Sequence, residues 1–228
     1  MTNDPTALRD HLIATAVALY TTDGEPLTAR RLSQAAGVSQ MEFYSVFDHI
    51  DEVLPAYYTS RIEAFEAIRT GIAEYDSFSL DERVSTFIFV LFDLLEADAA
   101  FVEHSFSKLQ HHSHLKNFRE GLVAQYAALL DSPDIPATNQ TLTRQAWVHK
   151  ALAHRHLYLI DFWIRDTSPQ REQTTALVDK YVAFFADVAT FRGVERGVDL
   201  VRYLQQVGEI NVRWIPFVGQ YLAGDEAD

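Results

Sequence analysis

The sequence predicts an all-α protein, and three observations lead to this prediction. Apolar residues recur at three- and four-residue steps through nearly the whole chain, which is the period of an amphipathic helix. The alternation of apolar and polar residues that is typical of strands is not sustained anywhere. Pro, Gly, Ser and Asp cluster between the periodic stretches, where turns and helix caps are expected. A chain of 228 residues is also long enough to bury a sizeable core.

The first three helices are predicted to form a helix-turn-helix unit. A first helix is expected from Ala7 to Thr22. Thr28 is a suitable N-cap for a short second helix, and Gly37 can supply the positive φ that a tight turn needs. Ser39 then caps a third helix, which is predicted to run from Gln40 to Val46. A short helix presented in this way fits the major groove of B-DNA.

A long connecting helix and a bundle of further helices are predicted to follow. The connector is expected from Asp48 to Tyr75, with Pro55 past its first turn, where a proline kinks a helix. Ser79 and Ser168 are predicted N-caps, the second with Pro169 at the first helical position. The remaining helices are predicted at residues 80–97, 101–114, 115–130, 141–165, 169–191 and 198–207. The helix at 80–97 is apolar on most faces, so it is expected at the centre of the bundle.

The segment RRLSQAAGVSQMEFY, from Arg30 to Tyr44, carries the most specific pattern in the chain. It follows an amphipathic helix and a glycine-containing turn, and it is followed by Phe47. Together these residues closely resemble the N-terminal domain of the TetR family of bacterial transcriptional repressors. The resemblance implies a three-helix helix-turn-helix domain at residues 1–50. It also implies a helical ligand-binding and dimerisation domain at residues 51–228.

The resemblance implies a regulator, most simply a repressor, that binds a palindromic operator as a homodimer and is released by a small apolar effector. The candidate DNA-binding residues are Thr28, Arg30, Arg31, Ser39, Gln40, Met41 and Tyr44. Arg30 suits a guanine edge or a phosphate, and Gln40 suits adenine. Tyr44, with Thr28 and Ser39, suits phosphate oxygens. The alternative interpretations are a solvated helix face for the two arginines and a packed aromatic residue for Tyr44.

Three positions depart from the family pattern, and each removes a group that contacts phosphate. Glu42 stands where members usually carry Thr, directly after a usually small residue that is Met41 here. Val46 stands where they carry His, and Ile50 where they carry Lys. Residues 1–60 contain three Arg and no Lys against eight Asp and Glu, a net charge of −5. DNA affinity depends on neutralised phosphates. These residues therefore leave an alternative function open: a TetR-like protein that has lost DNA binding and acts as a lipid- or isoprenoid-binding accessory protein.

Aromatic residues and a histidine mark the candidate ligand pocket. Aromatic, Leu and Val side chains on converging helices are typical of an apolar cavity, although they suit a filled core equally well. The candidate lining residues are Phe87, Phe92, Phe106, His111, Trp147, Tyr158 and Phe162. Seven of the nine histidines fall in two groups, at 104–114 and 149–156, and no His-Glu-x-x-His pattern occurs. A divalent metal site between the two groups is one interpretation, and polar effector contacts or plain surface positions are the others. We expect neither a metal nor a cofactor.

The helices predicted at 141–165 and 169–191 carry apolar stripes that are too wide for one packing side. A symmetric homodimer through these helices is the natural use of the surplus, and burial of all of it in one core is the alternative. The stripe residues are Leu152, Leu159, Phe162 and Trp163 on the first helix, and Leu177, Tyr181, Phe184 and Phe185 on the second.

Composition excludes several classes of protein and limits the others. The chain has no Cys, which excludes disulfides and thiolate sites, and it carries no motif typical of catalysis, so no enzyme activity is expected. Its net charge of −13 has two interpretations. Either the protein does not bind DNA, or all proteins of the source organism are acidic as an adaptation to salt. The low number of Lys, 4 against 15 Arg, favours the second interpretation. No apolar run approaches the roughly 20 residues that span a bilayer, and no signal peptide is visible. We expect a cytoplasmic protein without stable membrane insertion.

Overall fold

The computed structural model describes residues 4–22, 26–111 and 114–192, and these ranges form ten α-helices without a β-strand. The predicted all-α class is therefore confirmed. The helices are α1 (Pro5–Thr22), α2 (Ala29–Ala36), α3 (Gln40–Tyr44), α4 (Val53–Gly71), α5 (Leu80–Glu96), α6 (Ala99–His111), α7 (Lys116–Leu130), α8 (Ala137–Thr143), α9 (Ala146–Arg165) and α10 (Glu172–Ala189). Short 3₁₀ turns lie ahead of α4, α5 and α10, at Ile50–Glu52, Tyr75–Ser77 and Pro169–Arg171.

Helices α1–α3 pack into a small unit, which we call the head. Helix α1 contacts α2, and α2 contacts α3. The head has its own apolar centre, in which Leu12, Ala16, Leu32 and Phe43 are fully buried and Phe47 is nearly so. The rings of Phe43 and Phe47 lie 5.9 Å apart. Because a five-residue helix is unstable alone, this packing is what fixes α3 in place.

Helices α4–α10 form the larger unit, which we call the body, and α4 joins it to the head. Helix α4 contacts α1 on the head side and α5 and α7 in the body. Phe101 of α6 lies at this junction, with ring centroids 5.4 Å from Tyr20 of α1 and 4.8 Å from Tyr57 of α4. The buried hydroxyls of Tyr58 and Ser105 form a hydrogen bond of 2.7 Å between α4 and α6. Helix α6 therefore contacts both α1 and α4 at this junction.

The connector differs from its prediction at its start. It opens with the 3₁₀ turn at Ile50–Glu52, and α4 proper begins at Val53. Pro55 is thus the third residue of α4 and lies within the first turn, where backbone N–H groups have no intrahelical partner. A proline costs no hydrogen bond there, so the predicted kink has no cause. Helix α3 is also shorter than predicted, since it ends at Tyr44.

The helix predicted at residues 141–165 is two helices, α8 and α9, separated at Arg144 and Gln145. Side chains of the following residues satisfy the carbonyls that the break leaves free. The amide of Gln145 donates to the carbonyl of Thr141 at 2.8 Å, and Nε2 of His149 lies 2.8 Å from the carbonyl of Thr143. This capping makes the break stable, and periodicity alone does not reveal it.

Helix α10 begins three residues later than predicted. The chain from Pro169 to Arg171 first makes a short 3₁₀-type turn, within which Gln170 and Arg171 have left-handed backbone with φ of 51° and 53°. The guanidinium of Arg171 lies 4.1 Å from the ring centroid of Trp163 and pairs with Glu96 at 3.2 Å, which holds the turn against α9 and α5. The short helix predicted at 198–207 lies outside the described residues.

Helix α5 lies at the centre of the body, as predicted. It contacts α4, α6, α7 and α10, and seven of its side chains are buried. Ser79 forms a capping box with Glu82, which confirms the predicted cap. None of the described helices is long and apolar enough to span a bilayer.

Candidate nucleic-acid interface

Helix α2 is fixed at both ends by the residues that the sequence predicts. The hydroxyl of Thr28 accepts a hydrogen bond from the backbone N–H of Arg31 at 3.2 Å. Gly37 ends the helix with φ of 68°. A Cβ at Gly37 would meet no atom within 4 Å, so the requirement for glycine comes from the backbone conformation alone.

Helix α3 begins with a capping box between Ser39 and Glu42. The Ser39 hydroxyl accepts from the backbone N–H of Glu42 at 3.1 Å and donates to Oε2 of Glu42 at 2.8 Å. The backbone N–H of Ser39 donates to the same oxygen at 2.7 Å. These hydrogen bonds from the backbone and then the side chain of Ser39 lower the pKa of the Glu42 carboxyl. The acid that departs from the family pattern is therefore part of the helix cap.

Val46 and Ile50, the other two departures, are half-buried and pack against the hydrophobic core. A Lys at Ile50 or a His at Val46 would replace an apolar contact with a polar group at each of these points. All three departures therefore have a structural reason.

The outward face of α3 presents a polar and an apolar residue next to each other. Met41 is 83% exposed, and Gln40 beside it is exposed as well. Tyr44 is 55% exposed and packs edge-to-face on Phe43 at 5.0 Å, so its ring is only partly packed. Phe43 is fully buried and anchors the helix from the other side. Gln40, Met41 and Tyr44 are thus all exposed on α3.

Among the cations of this surface, Arg30 is exposed and Arg31 is half-buried. Arg9 forms an ion pair with Glu63 at 3.1 Å, which neutralises it. Glu52 serves as a cap, since its Oε2 accepts from the backbone N–H groups of Asp48 at 3.1 Å and His49 at 3.3 Å. Two of the acids near α3 therefore stabilise helix starts, while the positive charge available for phosphate is small.

Comparison with known proteins decides the family. A sequence profile described as "Tetracyclin repressor-like, C-terminal domain" matches residues 83–204, which is more than half of the chain. The chain belongs to the tetracycline repressor-like (TetR) family of transcriptional regulators. Among solved structures, the fold is similar to the TetR transcriptional regulator from Nitrosomonas europaea ATCC 19718, with a TM-score of 0.55 at 19% identity. That similarity covers 79% of this chain and 98% of the other. No curated protein sequence matches the chain.

Family membership confirms two of the expectations from sequence. The resemblance of the first quarter of the chain identified the correct family, although the matching profile covers a different part. The TetR family is non-enzymatic, which agrees with the absence of catalytic motifs. Within the ranges that the structure describes, no three His, Asp or Glu side chains converge as a metal site.

The seven predicted pocket residues of this TetR-family regulator do not lie together. Phe87, Phe92 and Phe106 are buried in the body, and Phe162 is half-buried. Trp147 and Tyr158 differ from the prediction, because they are 61% and 44% exposed on the face of α9 opposite its buried stripe. His111 lies at the end of α6, and its side chain is outside the description.

The rings of the buried group contact one another and the neighbouring aromatic residues. Phe87 lies 4.8 Å from Phe65, and Phe92 stacks on Trp163 at 5.8 Å. Phe106 lies 5.6 Å from Tyr58. These contacts form a packed aromatic cluster in the body.

His156 is a buried polar group that was not among the predicted pocket residues. Its side chain is fully buried, its Nδ1 lies 3.1 Å from the hydroxyl of Tyr126, and its Nε2 has no hydrogen-bond partner. Burial lowers the pKa of His156 to about 3, so the imidazole is neutral at physiological pH. The ring of Phe87 lies 5.0 Å away. The position falls on the apolar stripe of α9, which is the sequence signal that identifies it.

Proposed function

We propose that this regulator binds a palindromic operator as a homodimer through residues 1–50 and that an effector binds within residues 51–228. The observation that carries the proposal is the exposed face of α3. Its cap, its turn and the buried Phe43 hold Gln40 and Met41 outward on a rigid support. N-terminal residues of a recognition helix contact base edges in this type of fold.

Some of the predicted DNA-binding residues suit direct contact with DNA, and the others position the helices. Gln40 and Met41 suit base edges, and Arg30 suits a guanine edge or a phosphate. Tyr44 and Thr28 suit phosphate oxygens, since the Thr28 hydroxyl still carries a proton after accepting its cap hydrogen bond. Ser39 instead positions the helix, because both its N–H and its hydroxyl donate to Glu42. Arg31 is half-buried, so we assign it to the residues that position the helices.

The charge of the head determines how binding should depend on salt. Exposed cations are few, so few counterions are released from DNA and the loss of affinity with salt should be shallow. High salt also screens the repulsion between phosphates and the exposed acids. We therefore propose an operator complex that tolerates high ionic strength. This behaviour suits the acidic composition of the whole chain.

A homodimer is supported by apolar side chains on the outer faces of α9 and α10. The most exposed are Trp147 and Tyr158 on α9, and Phe184 and Val188 on α10, at 61%, 44%, 70% and 55%. Part of the stripe predicted from sequence belongs to the core instead, since Leu159 and Trp163 are almost fully buried. The remaining surface is apolar enough to act as a self-complementary interface.

A single charge tests this interface. Phe184→Asp is expected to convert the dimer into a monomer in sedimentation equilibrium, because it places a charge in the proposed contact. Ala124→Asp, at an exposed position of α7, adds the same charge elsewhere and should leave the dimer intact. A dimer that survives Phe184→Asp would place the interface on another surface.

The effector proposal is supported by the aromatic core and its polar members. A small, largely apolar molecule would be accommodated by displacing rings such as Phe87 and Phe92, with the unpartnered Nε2 of His156 as a polar contact. The effector would favour one arrangement of the body over another. Phe101 links α6 to rings on α1 and α4, so a shift of α6 would change the position of the head.

The first experiment is a pull-down of sheared genomic DNA with the purified protein at low and at high salt, followed by sequencing. A palindromic peak that disappears with Arg30→Ala supports operator binding. No enrichment at either salt refutes it and favours the alternative of a TetR-like accessory protein for lipids or isoprenoids. Organic extraction of the purified protein then tests that alternative by looking for a bound lipid.

A further inference from the structure

Met41 is the most exposed large apolar side chain in the described part of the chain. It is 83% exposed, compared with 70% for Phe184 and 61% for Trp147. It is the second residue of α3, and burial of Phe43 already supplies the packing that this helix needs. Folding therefore gives no reason for an apolar residue at position 41.

Most of the exposed residues around Met41 are polar. Gln40, Glu42 and Ser45 are polar, and Tyr44, which is 55% exposed, is the one aromatic neighbour on α3 and carries a polar hydroxyl. The apolar surface proposed for dimerisation lies on α9 and α10. An exposed apolar side chain among mostly polar ones suits a small apolar target within a polar surface.

The major groove of DNA offers one apolar group, the C5 methyl group of thymine. An α-helix with its side chains is about 10–12 Å across, which fits the major groove, about 12 Å wide. The thioether of Met is flexible and polarizable, so it can follow the contour of a methyl group. The carboxylate of Glu42 bonds back to Ser39, which keeps this acid in the helix cap.

We infer that Met41 reads the C5 methyl group of one thymine in each operator half-site, next to the base pair that faces Gln40. This inference rests on the proposed operator binding and adds a specificity-determining residue to it. It also predicts an A·T base pair at one position of each operator half-site, which hydrogen bonds between protein and bases would not specify by themselves.

The test uses the operator fragment obtained from the genomic pull-down, with each thymine replaced in turn by deoxyuridine. Deoxyuridine removes the C5 methyl group and keeps base pairing. Replacing the contacted thymine in one half-site should weaken binding of the wild-type protein about fourfold, as expected for the loss of one buried methyl group. Replacing the symmetry-related thymine as well should weaken it about fourfold again. Met41→Ala should bind thymine and uracil duplexes equally. Met41→Leu, which keeps an apolar side chain of similar size, should retain the preference.

Tyr44→Phe is the matched control, because it changes an exposed residue of the same helix and leaves Met41 in place. It should weaken the thymine and uracil duplexes by the same factor and so keep their ratio. Far-ultraviolet circular dichroism should show unchanged helix content in Met41→Ala, since the side chain is mostly in solvent.

Three results would overturn the inference, and they differ in what they say of operator binding. An operator that is bound tightly but is indifferent to uracil at every thymine overturns the reading by Met41 alone. The same holds if Met41→Ala keeps the uracil penalty. A protein that retains no DNA at any salt overturns operator binding and the inference together.

Discussion

Buried His156 should make the protein sensitive to acid well above the pH at which carboxylates titrate. Its pKa is lowered to about 3 by burial, whereas an unfolded His has a pKa of about 6.5. Between these two values the unfolded chain binds a proton at this residue and the folded chain does not. Stability therefore falls as the pH drops through this window, and it is retained above the pKa of the unfolded state.

The magnitude follows from the two pKa values. Lowering the pH from 7 to 5 should remove about 2 kcal/mol of folding stability per subunit through this one imidazole. That is a large share of the roughly 5–15 kcal/mol that holds a typical domain folded. Replacement by Phe removes the titrating group and keeps an aromatic ring among Phe87 and Phe92, although it leaves the Tyr126 hydroxyl without its partner.

Urea unfolding at pH 7 and pH 5, at one fixed protein concentration, measures the effect. Wild type should lose about 2 kcal/mol more between the two pH values than His156→Phe, because all other titrating groups are shared. His154→Phe, at an exposed position of the same helix, controls for the loss of one imidazole and should behave as the wild type. Equal losses in wild type and His156→Phe would show that the buried ring accepts a proton in the folded state and would refute the reasoning.

Three further predictions concern the head and its junction with the body. Gly37→Ala should lower stability by about 1 kcal/mol because φ is positive there. Gly71→Ala is the control and should not lower stability, because φ is not positive at Gly71 and an added Cβ would meet no atom within 4 Å. Thermal unfolding of both variants checks this. Ser39→Ala should cost about 1 kcal/mol and speed amide exchange in α3, as measured by hydrogen–deuterium exchange. Tyr58→Phe and Ser105→Ala should each cost about 1–2 kcal/mol, and the double variant less than their sum; additive losses would contradict a direct hydrogen bond.

The head could be predicted closely because its signals are local. Thr28, Gly37 and Ser39 act through hydrogen bonds and dihedral angles within three or four residues, and each plays its predicted part in the structure. The role of Glu42 was accessible in the same way, since an acid three residues after a capping serine is the capping-box pattern. If only the charge of Glu42 is considered, it predicts a loss of DNA contact.

The body was less predictable because its signals depend on tertiary packing. Apolar periodicity continues across Gln145, so it does not reveal the break that side-chain caps stabilise between α8 and α9. Trp147 and Tyr158 have the composition of pocket residues but the helical phase of an outer face. His156 has the opposite combination, a polar residue at a buried phase. The position of a residue around the axis of α9 distinguishes its buried residues from its exposed ones, and residue type alone does not.

The capping box at Ser39 and Glu42 has a consequence for how this surface can evolve. Replacing Glu42 by a residue without a side-chain acceptor, such as Ala or Lys, frees two hydrogen-bond donors of Ser39 at the same time, so a five-residue helix loosens before any attraction to phosphate is gained. Selection for tighter operator binding would therefore remove charge first at an exposed acid outside this capping box, such as Asp51. Position 42 should be among the last acids of residues 1–60 to change as affinity for DNA increases.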